Sequence, residues 1–166
     1  RFPVKAVVRL LSLLANTVLR ILHTTRGRIP SGTRLRKIER FDERFDAFWN
    51  RIKGDYPIMA VRDSRYLDWR YADVPHRDYT ILCLEKEESG EILGFVVLGE
   101  KQRDMRVGQI LDIVTPRSGH QGITRVLLAR AMAHFYERKT ALVICWMLSH
   151  CHVYPALMRL GFRVWE

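Results

Sequence analysis

The sequence predicts a single α/β domain, and three observations carry that prediction. Two apolar runs, Tyr79 to Glu85 and Ile92 to Leu98, flank Glu88-Ser89-Gly90 and read as an antiparallel hairpin. A third run, Val107 to Thr115, leads through Pro116 and a short turn holding Gly119 and Gly122 into a helical pattern at Ile123, Val126, Leu127 and Ala131. Ahead of the hairpin, two segments carry helical rather than strand spacing. At 166 residues the chain suffices for one domain with a core and is too short for two ordinary ones.

Taken in order, Val4 to His23 reads as a helix with one polar stripe, Lys5, Arg9, Ser12, Asn16, Arg20 and His23. As a membrane span it would place Arg9 and Arg20 in hydrocarbon. As a signal peptide it has charge inside the apolar run and no small-residue cleavage site. A helix this apolar must bury most of its girth. It is expected to be a connector (residues 1–25) packed between this domain and a neighbouring one or a homo-oligomer partner; the alternative is a membrane surface, with its cations toward the head groups. The chain begins with Arg1 rather than Met, so a preceding segment is expected. Residues 26–33 have linker composition, and residues 34–166 form the domain.

Arg34 to Arg40 is a candidate first strand. Asp42 to Ile52 is helical, with Phe45, Phe48, Trp49 and Ile52 on one face and Asp42 as N-cap. Asp63 to Ala72 is a second short helix, stopped before Pro75. After the hairpin and third strand come a helix from His120 to Glu137, a strand from Ala141 to Met147, a short helix from His152 to Leu160 and a last strand from Gly161 to Glu166.

The net charge of +10 is unevenly placed. Nine of the 28 basic residues lie within residues 1–38, where there is no acid, and the other 19 stand against all 18 acids. Beyond residue 38 the chain is nearly neutral, which argues against a nucleic-acid partner. Cys83, Cys145 and Cys151 make no even-numbered disulfide framework, and Cys83 and Cys145 lie inside apolar runs; a reducing, cytoplasmic compartment is expected. His150-Cys151-His152 cannot converge on one ion because adjacent residues diverge, so no metal is expected.

Strand, glycine turn and helix together aim a helix N-terminus at an anion, because free N–H groups and the helix dipole both favour phosphate there. The turn lacks a strict G-x-G-x-x-G and an acid about 20 residues on at a strand end, which argues against a dinucleotide fingerprint. Val114, Pro116, Gly122, Ile123, Leu127 and Leu128 match in register the signature Val-x-Pro-x-x-Arg/Gln-Gly-x-Gly-Ile-Gly-x-x-Leu-Leu, and Ala156 to Phe162 forms an apolar helix ending in Gly-Phe. With the order of elements, these residues resemble the GNAT acetyltransferase superfamily over about Lys37 to Glu166. The resemblance implies a GNAT-like mixed, mostly antiparallel sheet flanked by helices. It also implies acetyl-CoA as substrate and an amine as acetyl acceptor. Ile113, Val114 and Thr115 would border the thioester. Gly119, His120, Gln121, Gly122, Ile123 and Thr124 would surround the phosphates. The turn departs from the signature: Gly119 stands where the family has Arg or Gln, and His120 and Thr124 replace glycines, adding Cβ atoms that restrict φ and fill space near the phosphate.

In many members a Tyr four residues before the Gly-Phe glycine protonates the leaving thiolate; here that position is Leu157. Tyr154, one turn earlier, is the candidate acid, with plain aromatic packing as the alternative. Asp112 is the acid in the key strand and the candidate base; it is spaced to share a face with Ile110 and Val114, and pairing with an Arg is the alternative. Tyr66 to Tyr71 resembles a Trp-Arg-Tyr segment of bacterial proteins made of two GNAT-like halves, which implies that Trp69 and Arg70 wall the acceptor cleft. Anchoring of the helix to the sheet is the alternative. Two functions follow: an N-acyltransferase, or a catalytically silent GNAT-like half that completes a partner domain.

Overall fold

A computed structural model describes residues 27–102, 104–118 and 121–164, with Gln121 described in its backbone. The expected Val4–His23 helix, Gly119 and His120 lie outside the described residues. The elements are β1 (Thr33–Ile38), α1 (Glu43–Ile52), α2 (Ser64–Leu67), β2 (Thr80–Lys86), β3 (Ile92–Gln102), β4 (Arg106–Val114), α3 (Gln121–Glu137), β5 (Leu142–Cys145) and α4 (Tyr154–Arg159). The five strands form one sheet in the order β1-β2-β3-β4-β5, with β5 parallel to β4 and every other pair antiparallel. This is the expected mixed, mostly antiparallel sheet.

The sheet is covered on both faces, which explains why β2 and β3 read as nearly continuous apolar runs. Along β2, Ile81 and Cys83 face α1 and α2, while Leu82 and Leu84 face α3. The same alternation runs through β3, with Phe95 and Val97 on the first face and Val96 and Leu98 on the second. Helix α1 starts where predicted: the Asp42 side chain accepts from the Arg44 N–H at 3.0 Å, and Phe45, Phe48, Trp49 and Ile52 are buried. Asp63 caps α2 by accepting from the Tyr66 N–H at 2.7 Å, and Ser64 donates its N–H to Asp46 of α1 at 2.6 Å. Past Leu67 the helix widens into a π-helical turn, Asp68–Ala72, closed by a 2.8 Å bond from Asp73 N–H to the Asp68 carbonyl. That wide turn carries Tyr71 into the core.

Two expectations need correction. Residues 161–164 form no strand. Gly161, at φ +94°, ends α4, and the Phe162 N–H bonds back to the Leu157 carbonyl at 3.3 Å, a glycine-capped helix end. The alternation of Phe162 and Val164 suggested a strand, but Val164 is 63% exposed and has no surface to bury against. The second correction concerns Asp112. In the β3–β4 ladder Val97 pairs with Asp112 and Leu98 with Ile110, so Leu111 is an extra, bulged residue. The bulge inverts the alternation: Ile110 and Ile113 face α3, whereas Val114 faces α1 and α2. Asp112 therefore does not share a face with Ile110.

Candidate functional site

The bulge also decides where the sheet opens. β4 and β5 pair from Val107↔Leu142 to Ile110↔Cys145, and pairing stops immediately before Leu111. β4 continues to Val114, while the chain beyond Cys145 leaves as an irregular loop in which Trp146 is 89% exposed. A bulge bends its strand. Successive backbone groups point alternately to either side of a strand, so part of the Leu111–Val114 backbone faces the gap left by β5.

Two side-chain clusters flank this opening. On the α1/α2 face, Asp112 Oδ2 accepts from Arg62 Nε at 2.7 Å and from the Tyr71 hydroxyl at 3.1 Å. The Arg62 and Asp112 side chains are 15% and 9% exposed. Burial, and next the Asp112 charge, push the Tyr71 phenol upward, so at neutral pH it keeps its proton and donates.

At the end of β4, Thr115 is fully buried and its Oγ1 lies 2.8 Å from Thr124 Oγ1 and 3.2 Å from His152 Nε2. The Tyr56 hydroxyl donates to the Thr115 carbonyl at 2.6 Å and accepts from its N–H at 3.3 Å. Burial also pushes the Tyr56 phenol upward. Asp55 accepts from the Arg117 N–H at 2.8 Å. The segment after α1 thus staples the chain leaving β4.

The turn before α3 is arranged around these contacts. Thr124 is 6% exposed and turned inward onto Thr115, so its side chain does not occupy the outer surface of the turn. Ile113, Val114 and Ile123 are buried; Ile123, on α3, shares a core cluster with Ile113, and Val114 lies on the opposite face of the sheet. Gly122 is exposed in the first turn of α3; a Cβ there would meet no heavy atom within 4 Å.

The remaining predicted residues fall elsewhere. Tyr154 opens α4, half-buried, its N–H bonded to the Cys151 carbonyl at 3.0 Å. Leu157 is 3% exposed and lies in the core beneath α3. Trp69 is 65% exposed and lines a shallow groove with Asp63, Arg65 and Tyr66. Arg70 is exposed, with its guanidinium 5.5 Å from the Tyr71 ring centre. Neither touches Asp112. Of the residues that do, Arg62 was not singled out in the sequence, and Tyr71 was named only as part of the Tyr66 to Tyr71 segment, with no role of its own. Tyr71 follows the buried Leu67 by four residues, a helical spacing that could have flagged it. Tyr56 and Arg62 sit in a loop without periodicity and left no such signal.

No protein-family model matches the chain, and comparison with curated proteins gives no match. Solved structures do match. A GCN5-related N-acetyltransferase from Ralstonia eutropha JMP134 is 19% identical with a TM-score of 0.58, over 80% of this chain and 94% of that one. Glucosamine-6-phosphate N-acetyltransferase from Arabidopsis thaliana is 17% identical with a TM-score of 0.55, over 81% and 93%. Ribosomal-protein-alanine N-acetyltransferase from Brucella melitensis biovar Abortus 2308 is 13% identical with a TM-score of 0.56, over 81% and 94%. The chain has the GNAT fold.

Proposed function

We propose that this GNAT-fold chain is an N-acetyltransferase that moves acetyl from acetyl-CoA to an amine by direct attack. The observation that carries the reading is the parting of β4 from β5 at Leu111, directly upstream of the turn into α3. A gap with free backbone groups on one side, leading to a helix N-terminus, suits a long ligand with a polar arm and an anionic end. The residues present fit that ligand. Thr124 is folded inward, Gly122 leaves open space, and Arg117 and Arg125 are exposed cations on either side of the turn.

In this reading Gly119 to Thr124 surround the phosphates and Ile113 to Thr115 border the thioester. The acceptor nitrogen forms the new C–N bond as the C–S bond breaks. Tyr154 supplies a proton to the leaving sulfur, and Asp112 receives the proton lost by nitrogen. Trp69 and Arg70 form the outer wall of the acceptor side. Holding amine and thioester together supplies most of the acceleration. A reducing cytoplasmic setting suits the three free cysteines; burial pushes the Cys83 thiol up to about 12.

Titration of the protein with acetyl-CoA in a calorimeter is expected to show saturable binding, which Gly122→Arg should weaken by roughly 100-fold by filling the turn. A second reading, a catalytically silent half completing a partner, is favoured by one observation: the position of the family's acid is Leu157, buried in the core. No heat from wild-type protein at high micromolar acetyl-CoA would select that reading. Residues 4–23 remain the candidate contact with a preceding half, a homo-oligomer partner or a membrane surface. Among the described residues no helix is long and apolar enough to cross a membrane. Flotation with anionic liposomes should carry the full chain up and leave a chain starting at Arg26 behind if the contact is a membrane; equal flotation rules that contact out.

A further inference from the structure

We propose that His152 is a positioning residue of the donor site: it ends a hydrogen-bonded chain that fixes the first turn of α3 against the end of β4, and its protonation tightens donor binding. The proposal rests on the donor reading above. Thr124 Oγ1, Thr115 Oγ1 and His152 Nε2 follow one another at 2.8 and 3.2 Å. Both hydroxyls belong to buried residues, so each depends on protein partners rather than bulk water. Tyr56 already holds the Thr115 backbone, which leaves Oγ1 to Thr124 and His152. The Tyr56 ring, 5.4 Å from the imidazole centre, limits its rotation.

A neutral imidazole meets Thr115 as donor or acceptor, according to its tautomer. A protonated one only donates. Thr115 must then accept from His152 and pass its own hydrogen to Thr124, giving the chain a single direction and adding a positive charge two hydrogen bonds from the turn. The groups facing the ring are Tyr56 and Asp55 from the segment after α1, Arg117 from the β4–α3 loop, and Cys151 beside it in sequence; Arg125 on α3 is exposed. Burial, and then the Arg117 charge, hold the ring below its ordinary value, so it is neutral at pH 7 in the free protein. A pyrophosphate at the turn opposes both effects and favours the charged ring. Linkage makes the relation reciprocal: the protein binds the anion more tightly as pH falls and the ring takes up a proton.

The test is the pH profile of affinity for acetyl-dephospho-CoA, whose pyrophosphate diester does not titrate between about pH 5 and 8, measured on the full chain. Wild-type protein is expected to bind about fivefold more tightly at pH 5.5 than at pH 8. His152→Gln keeps a hydrogen bond to Thr115 but cannot ionise; on a His120→Gln background, which removes the second imidazole assigned to the phosphates, it should match the His120→Gln protein at pH 8 and show a flat profile. His152→Phe should lose about fivefold in affinity at pH 8 as well, through the broken clamp. Should His152→Phe fail to fold, the glutamine variant decides alone. A flat profile in wild type or in His120→Gln, or a slope retained when His152→Gln is added to His120→Gln, overturns the proposal and leaves the donor reading standing. Wild-type protein that binds no donor at any pH overturns the donor reading and the proposal with it.

Discussion

Gly108→Ala is expected to destabilise the protein by about 1–2 kcal/mol, against the usual direction for such a change. Gly108 lies in β4, paired with Glu100 on one side and Val143 on the other. Its φ is not positive, so alanine strains no dihedral there, and the loss of unfolded-state freedom alone would add roughly 0.4–1 kcal/mol of stability. Space decides the sign. A Cβ on Gly108 would stand 2.6 Å from Phe135 Cδ1 and 2.7 Å from Cε1. Phe135 is 1% exposed and packed into the α3 core, so its ring has nowhere to retreat. Overpacking of this kind costs about 1–3 kcal/mol and wins. Urea unfolding of Gly108→Ala, Phe135→Leu and the double variant checks the cause: the two changes should couple favourably by about 1 kcal/mol or more, because leucine vacates the contested volume. Additive effects would mean that the ring is not what limits position 108. The contact bears on the proposed function because β4 and α3 are the two elements whose junction forms the proposed donor turn. Donor affinity of Gly108→Ala should fall along with stability and recover in the double variant.

Gly108 also shows how far the sequence could be read. The α/β pattern, the hairpin, both early N-caps and the strand-turn-helix unit were legible because each depends on local chemistry: apolar alternation, Asp42 and Asp63 ahead of helical spacing, Gly90 at φ +67° in the hairpin turn. The strand and helix that frame the candidate site were legible for the same reason. The composition of that site was not. A single inserted residue, Leu111, carries no sequence mark, yet it decides which face Asp112 occupies and where β5 leaves β4. Tyr56 and His152 meet Thr115 from positions 59 and 37 residues away in the chain, a closeness that no periodicity encodes. The Cβ of Thr124 read as an obstacle because the sequence could not show that its hydroxyl turns inward onto a partner.

The largest single loss of stability is expected from Asp112→Ala, about 3–5 kcal/mol. The carboxylate accepts from Arg62 and Tyr71, and removing it leaves a guanidinium 15% exposed without its anion and a buried phenol without its acceptor. The cost is that of the stranded partners more than the worth of the pair. The matched double variant, Arg62→Met with Asp112→Leu, removes both charges and should recover most of the loss, ending within about 1–2 kcal/mol of wild type. If Asp112→Ala costs under 1 kcal/mol, the pair is solvated and contributes little. The double variant also separates anchoring from chemistry. With the fold restored and β4 intact, acetyl-CoA should bind as in wild type, because neither residue reaches the turn into α3. Loss of acetyl transfer to an amine on that background, with transfer retained in Arg62→Met alone, would then belong to the missing carboxylate. Transfer at the wild-type rate would make Asp112 solely the post that ties Arg62 and Tyr71 to the opened edge of the sheet.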